Sequence, residues 1–140
     1  MVNEVSAMVE AFNMFQAQYD QVDKLWNYFG VISLAVAGFT IGSEKATRTI
    51  WEPIVIVIGY LSFCIGNFQA LINGHGFLVT LADRYNDLAV DQGLNHLKVH
   101  TVDEVTAFYV LVVITFTTAI ILVSATRIKN HKTSQNGEAE

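Results

Sequence analysis

Charged residues are absent from three long stretches of this 140-residue sequence. Asp, Glu, Lys and Arg make up only 15% of the chain, whereas typical soluble domains carry about 25%. The charge-free windows are residues 25–43, 53–82 and 105–126. Each has roughly the 20 residues that cross the hydrocarbon core of a bilayer. The third window is apolar on all sides. This argues against a soluble bundle, because a helix at the surface of a soluble bundle needs a polar face toward water.

Cysteine and early basic residues are also scarce. The single cysteine, Cys64, can form no intrachain disulfide. No Lys or Arg precedes Lys24, so we expect no cleavable signal peptide, and the first span would act as its own insertion signal. The net charge of −5 does not suggest nucleic-acid binding.

Catalytic motifs are missing as well. The sequence has no nucleophile–base pair in a plausible pocket, no phosphate-binding glycine loop, and no HExxH or CxxC motif. We therefore expect no enzymatic activity and no cofactor.

The first helix is predicted to begin in water and continue into the membrane. Apolar and aromatic residues recur at alternating steps of three and four from Val5 to Phe29, a heptad pattern uninterrupted by Gly or Pro before Gly30. The opposite face is polar. Helix 1 is expected to run from near residue 3 to about Gly42, with Trp26 at the membrane–water interface.

The second helix is predicted to start at Trp51-Glu52-Pro53, because proline fits the first turn of a helix. A second heptad pattern runs from Phe68 to Ala89, past the expected end of the span near Ile72. Gly74 and Gly76 within it favour a kink or short break as an alternative. The two heptad patterns predict an antiparallel stalk outside the membrane, formed by residues 3–25 and 73–91. Its predicted contact residues are Phe12, Phe15, Tyr19, Trp26, Leu78 and Tyr85, with Phe12 near Tyr85, Tyr19 near Leu78 or Ala82, and Trp26 near His75.

The third helix is predicted to start at a capping box, Thr101-x-x-Glu104, and to end near Ile128. The segment before it, residues 91–100, is expected to be a loop. Residues 129–140 are expected to form a disordered cytoplasmic tail. Lys and Arg are concentrated after the first and third spans, which places the N-terminus outside and the C-terminus inside.

These patterns predict an all-α fold with three transmembrane helices, two of which extend outside the membrane as the stalk. The expected spans are residues 26–43, 52–72 and 104–127, within a single three-helix membrane domain at residues 1–128.

A stripe of small and polar residues follows one face of helix 2. It comprises Gly59, Ser62, Gly66, Gln69 and Asn73, with Glu52 at its inner end. One interpretation is helix packing, since small residues allow close approach in lipid and amides hydrogen-bond across the contact. A second is a pore lining in a ring of protomers, with Glu52 as a carboxylate ring at the inner mouth. A third is a ligand pocket.

The run Trp51-Glu52-Pro53 resembles the Trp…Glu-Pro signature at the start of the second span in the mitochondrial calcium uniporter family. The resemblance covers three residues. The family's Asp after the Trp is missing, the spacing is shorter, and a third span follows. The resemblance identifies Glu52 as a residue to test and implies no activity.

Two further features involve histidines. His75 lies in an otherwise uncharged window and is a candidate pH sensor; the alternative is an interfacial histidine bonded to Trp26 or to a carbonyl. His96 and His100 have the spacing of metal ligands, but no third ligand is fixed in register, so a solvated loop is the preferred interpretation.

The resulting hypothesis is a small non-enzymatic protein of the bacterial inner membrane. It would act by self-association, as a homo-oligomer, or as a subunit of a larger membrane complex. The alternatives are an oligomeric ion pore lined by helix 2 and a holin-like protein that makes membrane lesions.

Overall fold

Three long α-helices make up most of the computed structural model, which describes residues 2–47, 49–90 and 92–137. Helix α1 spans Val2–Gly42, α2 spans Trp51–Val90 and α3 spans Val102–Gly137; a short 3₁₀ helix at Glu44–Thr47 precedes α2. All three long helices have the length and apolar composition needed to cross a membrane. The predicted all-α class and the three candidate membrane-spanning helices are therefore confirmed.

The ends of the helices follow from local sequence. The backbone N–H of Thr101 donates to Glu104 Oε2 at 2.9 Å, and the N–H of Glu104 donates to Thr101 Oγ1 at 3.2 Å, which is the predicted capping box. Helix α2 continues through Gly74 and Gly76 instead of breaking there. After α2, Gly93 has a φ of +65°. Glycine adopts this left-handed conformation without a Cβ clash, so the chain can leave the helix here.

Helix α3 is longer than predicted. It continues to Gly137, so the prediction of a disordered tail is wrong for residues 129–137; residues 138–140 lie outside the described residues. No proline or glycine occurs between Ile128 and Gly137, and nothing there removes a backbone donor from the helix. As a result, Arg127, which precedes the predicted end of the helix, does not lie in the last turn of α3.

The chain divides into two compact units. The first, which we call the acidic unit, comprises Met1–Asn27 and Asn67–Phe108. Its core lies along the predicted heptad face of α2, where the buried residues are Leu71, His75, Leu78, Ala82 and Ala89. Charged and amide side chains on its surface are exposed, among them Glu10, Gln16, Asp20, Asp83 and Asp87.

The second unit, which we call the apolar unit, comprises Tyr28–Gly66 and Tyr109–Glu140. In this unit small polar side chains are buried and large apolar side chains are exposed, the reverse of the acidic unit. Ser33, Thr40 and Ser124 are buried, whereas large aliphatic side chains such as Leu34 and Leu122 are more than 60% exposed, at 66% and 62%. An exterior of this kind is suited to lipid, because a water-soluble protein rarely exposes large contiguous apolar patches.

Candidate functional site

The aromatic residues of the predicted stalk lie in the acidic unit. Phe12 and Tyr85, which the two heptad patterns predict to be neighbours, have ring centroids 5.6 Å apart. Phe15 and Tyr19 lie 6.2 Å apart on α1, and Tyr19 is 56% exposed, so it lies at the margin of the contact. Trp26 packs on Phe108 of α3, with centroids 5.6 Å apart. Aromatic packing in this unit therefore involves all three helices.

Helices α1 and α2 approach each other closely at Gly74. The side chain of Gln18 donates from Nε2 to the Gly74 carbonyl at 2.9 Å. A Cβ at Gly74 would lie 3.3 Å from that nitrogen and 3.5 Å from Val22 Cγ2. The missing side chain therefore makes room for a hydrogen bond between helices. From the sequence, Gly74 was expected only to favour a kink in helix 2. The sequence feature that could have indicated this contact is a glycine beside the heptad face of α2, together with an amide side chain, Gln18, on α1.

His75 connects α2 to the segment that precedes α3. Its side chain is 5% exposed, and its Nε2 lies 2.8 Å from the carbonyl oxygen of His100. A carbonyl only accepts, so Nε2 carries a proton and donates. Nδ1 is buried and has no hydrogen-bond partner among the described residues. The observed bond therefore agrees with the alternative in which His75 bonds to a carbonyl. Its role as a pH sensor stays a prediction.

The segment between α2 and α3 is irregular and is held by a second side chain. The Asn86 side chain donates to the Leu97 carbonyl at 3.0 Å and accepts from the Leu97 N–H at 2.7 Å. His96 and His100 are exposed, and His100 Nδ1 lies 3.3 Å from Glu104 Oε2. In the described part of the chain, no group of three His, Cys, Asp or Glu side chains is arranged to hold a metal ion.

The small and polar stripe of α2 is exposed. Gly59, Ser62, Gly66, Gln69 and Asn73 are all exposed to the surroundings. A Cβ at Gly59 or Gly66 would meet no atom within 4 Å. Packing within the chain therefore does not account for glycine at these two positions.

Glu52, the proposed inner end of the stripe, caps α2. Its carboxylate accepts the Thr49 N–H at 2.6 Å and also the Thr49 hydroxyl. The signal for this cap was present in the sequence as Thr49-x-x-Glu52, the same pattern that begins α3. The carboxylate thus has a local structural role, whatever further role it plays.

Polar side chains link the helices inside the apolar unit. The hydroxyls of Ser33 on α1 and Tyr60 on α2 are 3.0 Å apart, and Tyr109 of α3 donates to the Cys64 carbonyl at 2.8 Å. The Tyr109 ring also stacks on Phe29 at 4.4 Å. Hydrogen bonds of this kind join helices where apolar contact alone gives little preference over lipid. No pattern in the sequence marks these five residues as a group.

Arg127 of α3 binds the C-terminal end of α1. Its guanidinium donates to the carbonyls of Thr40 at 3.1 Å, Ser43 at 3.2 Å, and Ile41. The last carbonyls of a helix lack partners within the helix and carry its negative dipole end, so a cation stabilises them. Arg127 therefore stabilises the C-terminal end of α1.

Comparison with known proteins finds no matching family model, no matching curated protein and no matching solved structure.

Proposed function

We propose that this small polytopic membrane protein has no enzymatic activity and acts by self-association through the α2 stripe, defined as Gly59, Ser62, Gly66, Gln69 and Asn73. The observation that carries the proposal is the exposure of the whole stripe on a helix whose other face forms the core of the protomer. These five small or polar residues are not buried within one chain. Contact with the same stripe of a second copy would bury them.

The stripe would meet a second copy in lipid and not in water, and the solvent decides which contacts hold helices together. Apolar side chains gain little by leaving lipid for a protein contact, so helix association depends on close packing and on interhelical hydrogen bonds. Gly59 and Gly66 provide an unobstructed helix surface, and the amides of Gln69 and Asn73 provide donors and acceptors. A partner that presents the same stripe would satisfy both requirements.

The test is the particle mass in lipid nanodiscs. Gly66→Leu adds a side chain where nothing lies within 4 Å, so the protomer should fold normally while close approach of a second helix is blocked. We expect an oligomer for the unchanged protein and a shift toward the mass of one chain for this variant. Ala119→Leu, which adds the same side chain at an exposed position of α3, is the matched control and should keep the oligomer.

Other outcomes would identify a different function. A single-chain mass for the unchanged protein, or an undisturbed oligomer in Gly66→Leu, contradicts self-association through the stripe. An ion pore would in addition conduct in planar bilayers, with cation preference altered by Glu52→Gln. A holin-like protein would lyse the expression host.

The proposal includes an arrangement in the membrane. We place residues 3–25 and 73–91 in water as a stalk, with the N-terminus outside and the C-terminus in the cytoplasm of a bacterial cell. The wet surface of the acidic unit supports a stalk, and the basic residues after the first and third spans support the orientation.

A further inference from the structure

A cleft of about 720 Å³ lies in the acidic unit beside His75. This volume is within the range of about 300–1,000 Å³ that is usual for small-molecule sites. The rings of Tyr19, Trp26 and Phe108 line the cleft, and aliphatic side chains, including Leu78, complete its apolar surface. An apolar ligand body would be accommodated here.

The charged groups of the cleft favour a cation. The carboxylates of Asp23 and Glu104 line it, and among the described lining residues Lys98 is the one permanently charged base. The two sequence segments of the acidic unit contain nine Asp and Glu residues against three Lys and Arg. Summed charge of one sign raises the local concentration of the opposite ion.

The carboxylates that line the cleft accept hydrogen bonds, so they favour a ligand that donates them. Aromatic faces attract ammonium groups through their quadrupole, and tryptophan does so best.

We propose that this cleft binds an organic ammonium ion with an apolar body. The ammonium group lies near Asp23 and Glu104 against the aromatic walls, and the apolar part fills the space beside Leu78. The proposal is independent of self-association, because none of the residues that line the cleft belongs to the α2 stripe.

Trp26 is a built-in reporter for the test. The chain has two tryptophans, so Trp51→Phe leaves Trp26 as the only tryptophan, and exciting at the red edge of indole absorption avoids the tyrosines. This variant in nanodiscs is titrated with phenethylammonium chloride, with neutral 2-phenylethanol and with 3-phenylpropionate. We expect saturable binding of the ammonium ion, at least tenfold tighter than that of the alcohol. The converse variant, Trp26→Phe, keeps the 71% exposed Trp51 and reports only partition into lipid, so it should show no saturation.

Carboxylate variants locate the bound ion. Asp23→Asn and Glu104→Gln should each raise the Kd about five- to tenfold, which corresponds to about 1–1.4 kcal/mol. Gln at position 104 can still accept the Thr101 N–H, so the start of α3 is retained. Asp87→Asn, an exposed acid that does not line the cleft, is the matched control and should leave the Kd unchanged.

Four results would overturn the proposal. They are equal affinity for the alcohol, tighter binding of phenylpropionate, a Trp26 signal no different from that of Trp51, and an unchanged Kd in both carboxylate variants. The comparisons of the ammonium ion with the alcohol and with phenylpropionate use the cleft with its carboxylates intact. They therefore test ammonium binding even if a carboxylate variant fails to fold.

Discussion

Asn86 shows how a single side chain orders a segment without regular secondary structure. Its amide makes two hydrogen bonds to the backbone of Leu97, one as donor and one as acceptor. The residue thereby satisfies both backbone groups of Leu97, much as a neighbouring strand would. With the bond from His75 to the His100 carbonyl, it attaches the segment to α2 at two points.

Replacing Asn86 by Ala is expected to loosen this segment. Both bonds to Leu97 would be lost, at a cost of about 1–3 kcal/mol because partly buried backbone groups would be left unpaired. Hydrogen exchange of residues 94–100 in nanodiscs measures the effect, which should be faster exchange there and unchanged exchange in α3. Asn95→Ala, at an exposed position of the same segment, is the control. Equal exchange rates in the two variants would show that Asn86 does not hold the segment.

At the scale of the element, α2 has two faces with different purposes. One face supplies the buried residues of the acidic unit, including Leu71, Leu78 and Ala82. The stripe on the other side is exposed. The 3.6-residue period separates the two sets, so one continuous helix can form a protomer core and leave a second surface available.

The buried face of α2 is predicted to carry stability. Leu78→Ala removes a side chain that is 1% exposed and should lower the free energy of unfolding by about 2–5 kcal/mol through lost burial and a cavity. The neighbouring Phe77 is 49% exposed, and Phe77→Ala is the control with a smaller expected loss. Denaturant unfolding in detergent, followed by circular dichroism, compares the two. A larger loss for Phe77→Ala would mean that α2 packs by another face.

At the scale of the whole molecule, the two units differ in what they expose. The acidic unit exposes acids and amides, and the apolar unit exposes aliphatic side chains. Polar groups are most stable in water and apolar groups are most stable away from it. The surface of the acidic unit therefore suits water, and the surface of the apolar unit suits hydrocarbon. This contrast underlies the proposed stalk.

Cysteine labelling tests that arrangement in spheroplasts of a bacterial host. In a Cys64→Ala background, Gln16→Cys and Asn95→Cys should react with an impermeant maleimide added outside. Leu34→Cys is the control, because Leu34 is 66% exposed in the protomer and should nevertheless be shielded by lipid. Asn130→Cys should react only after permeabilisation. Labelling of Leu34→Cys as fast as Gln16→Cys would contradict the lipid assignment, and labelling of Asn130→Cys from outside would reverse the orientation.

The amino-acid sequence by itself determined the number of helices, the capping box at Thr101 and the approximate limits of the helices, except the C-terminal end of α3. These features depend on interactions within a few residues: charge-free length, heptad spacing, and a side chain that reaches its own helix end. The pairing of Phe12 with Tyr85 also followed from matching the two heptad patterns. Heptad spacing places the residues of each pattern on one helix face. Counting residues outward from the expected membrane interface then aligned the two helices.

Only the tertiary structure decided which polar groups meet. Gln18 reaches Gly74, His75 reaches the His100 carbonyl, and Arg127 reaches the end of α1, across separations of 56, 25 and 84 to 87 residues. Each bond depends on the rotation of two packed helices or on the course of an irregular segment, and no local pattern specifies either. The cleft beside His75 has the same origin, because its walls come from all three helices and the segment that joins two of them.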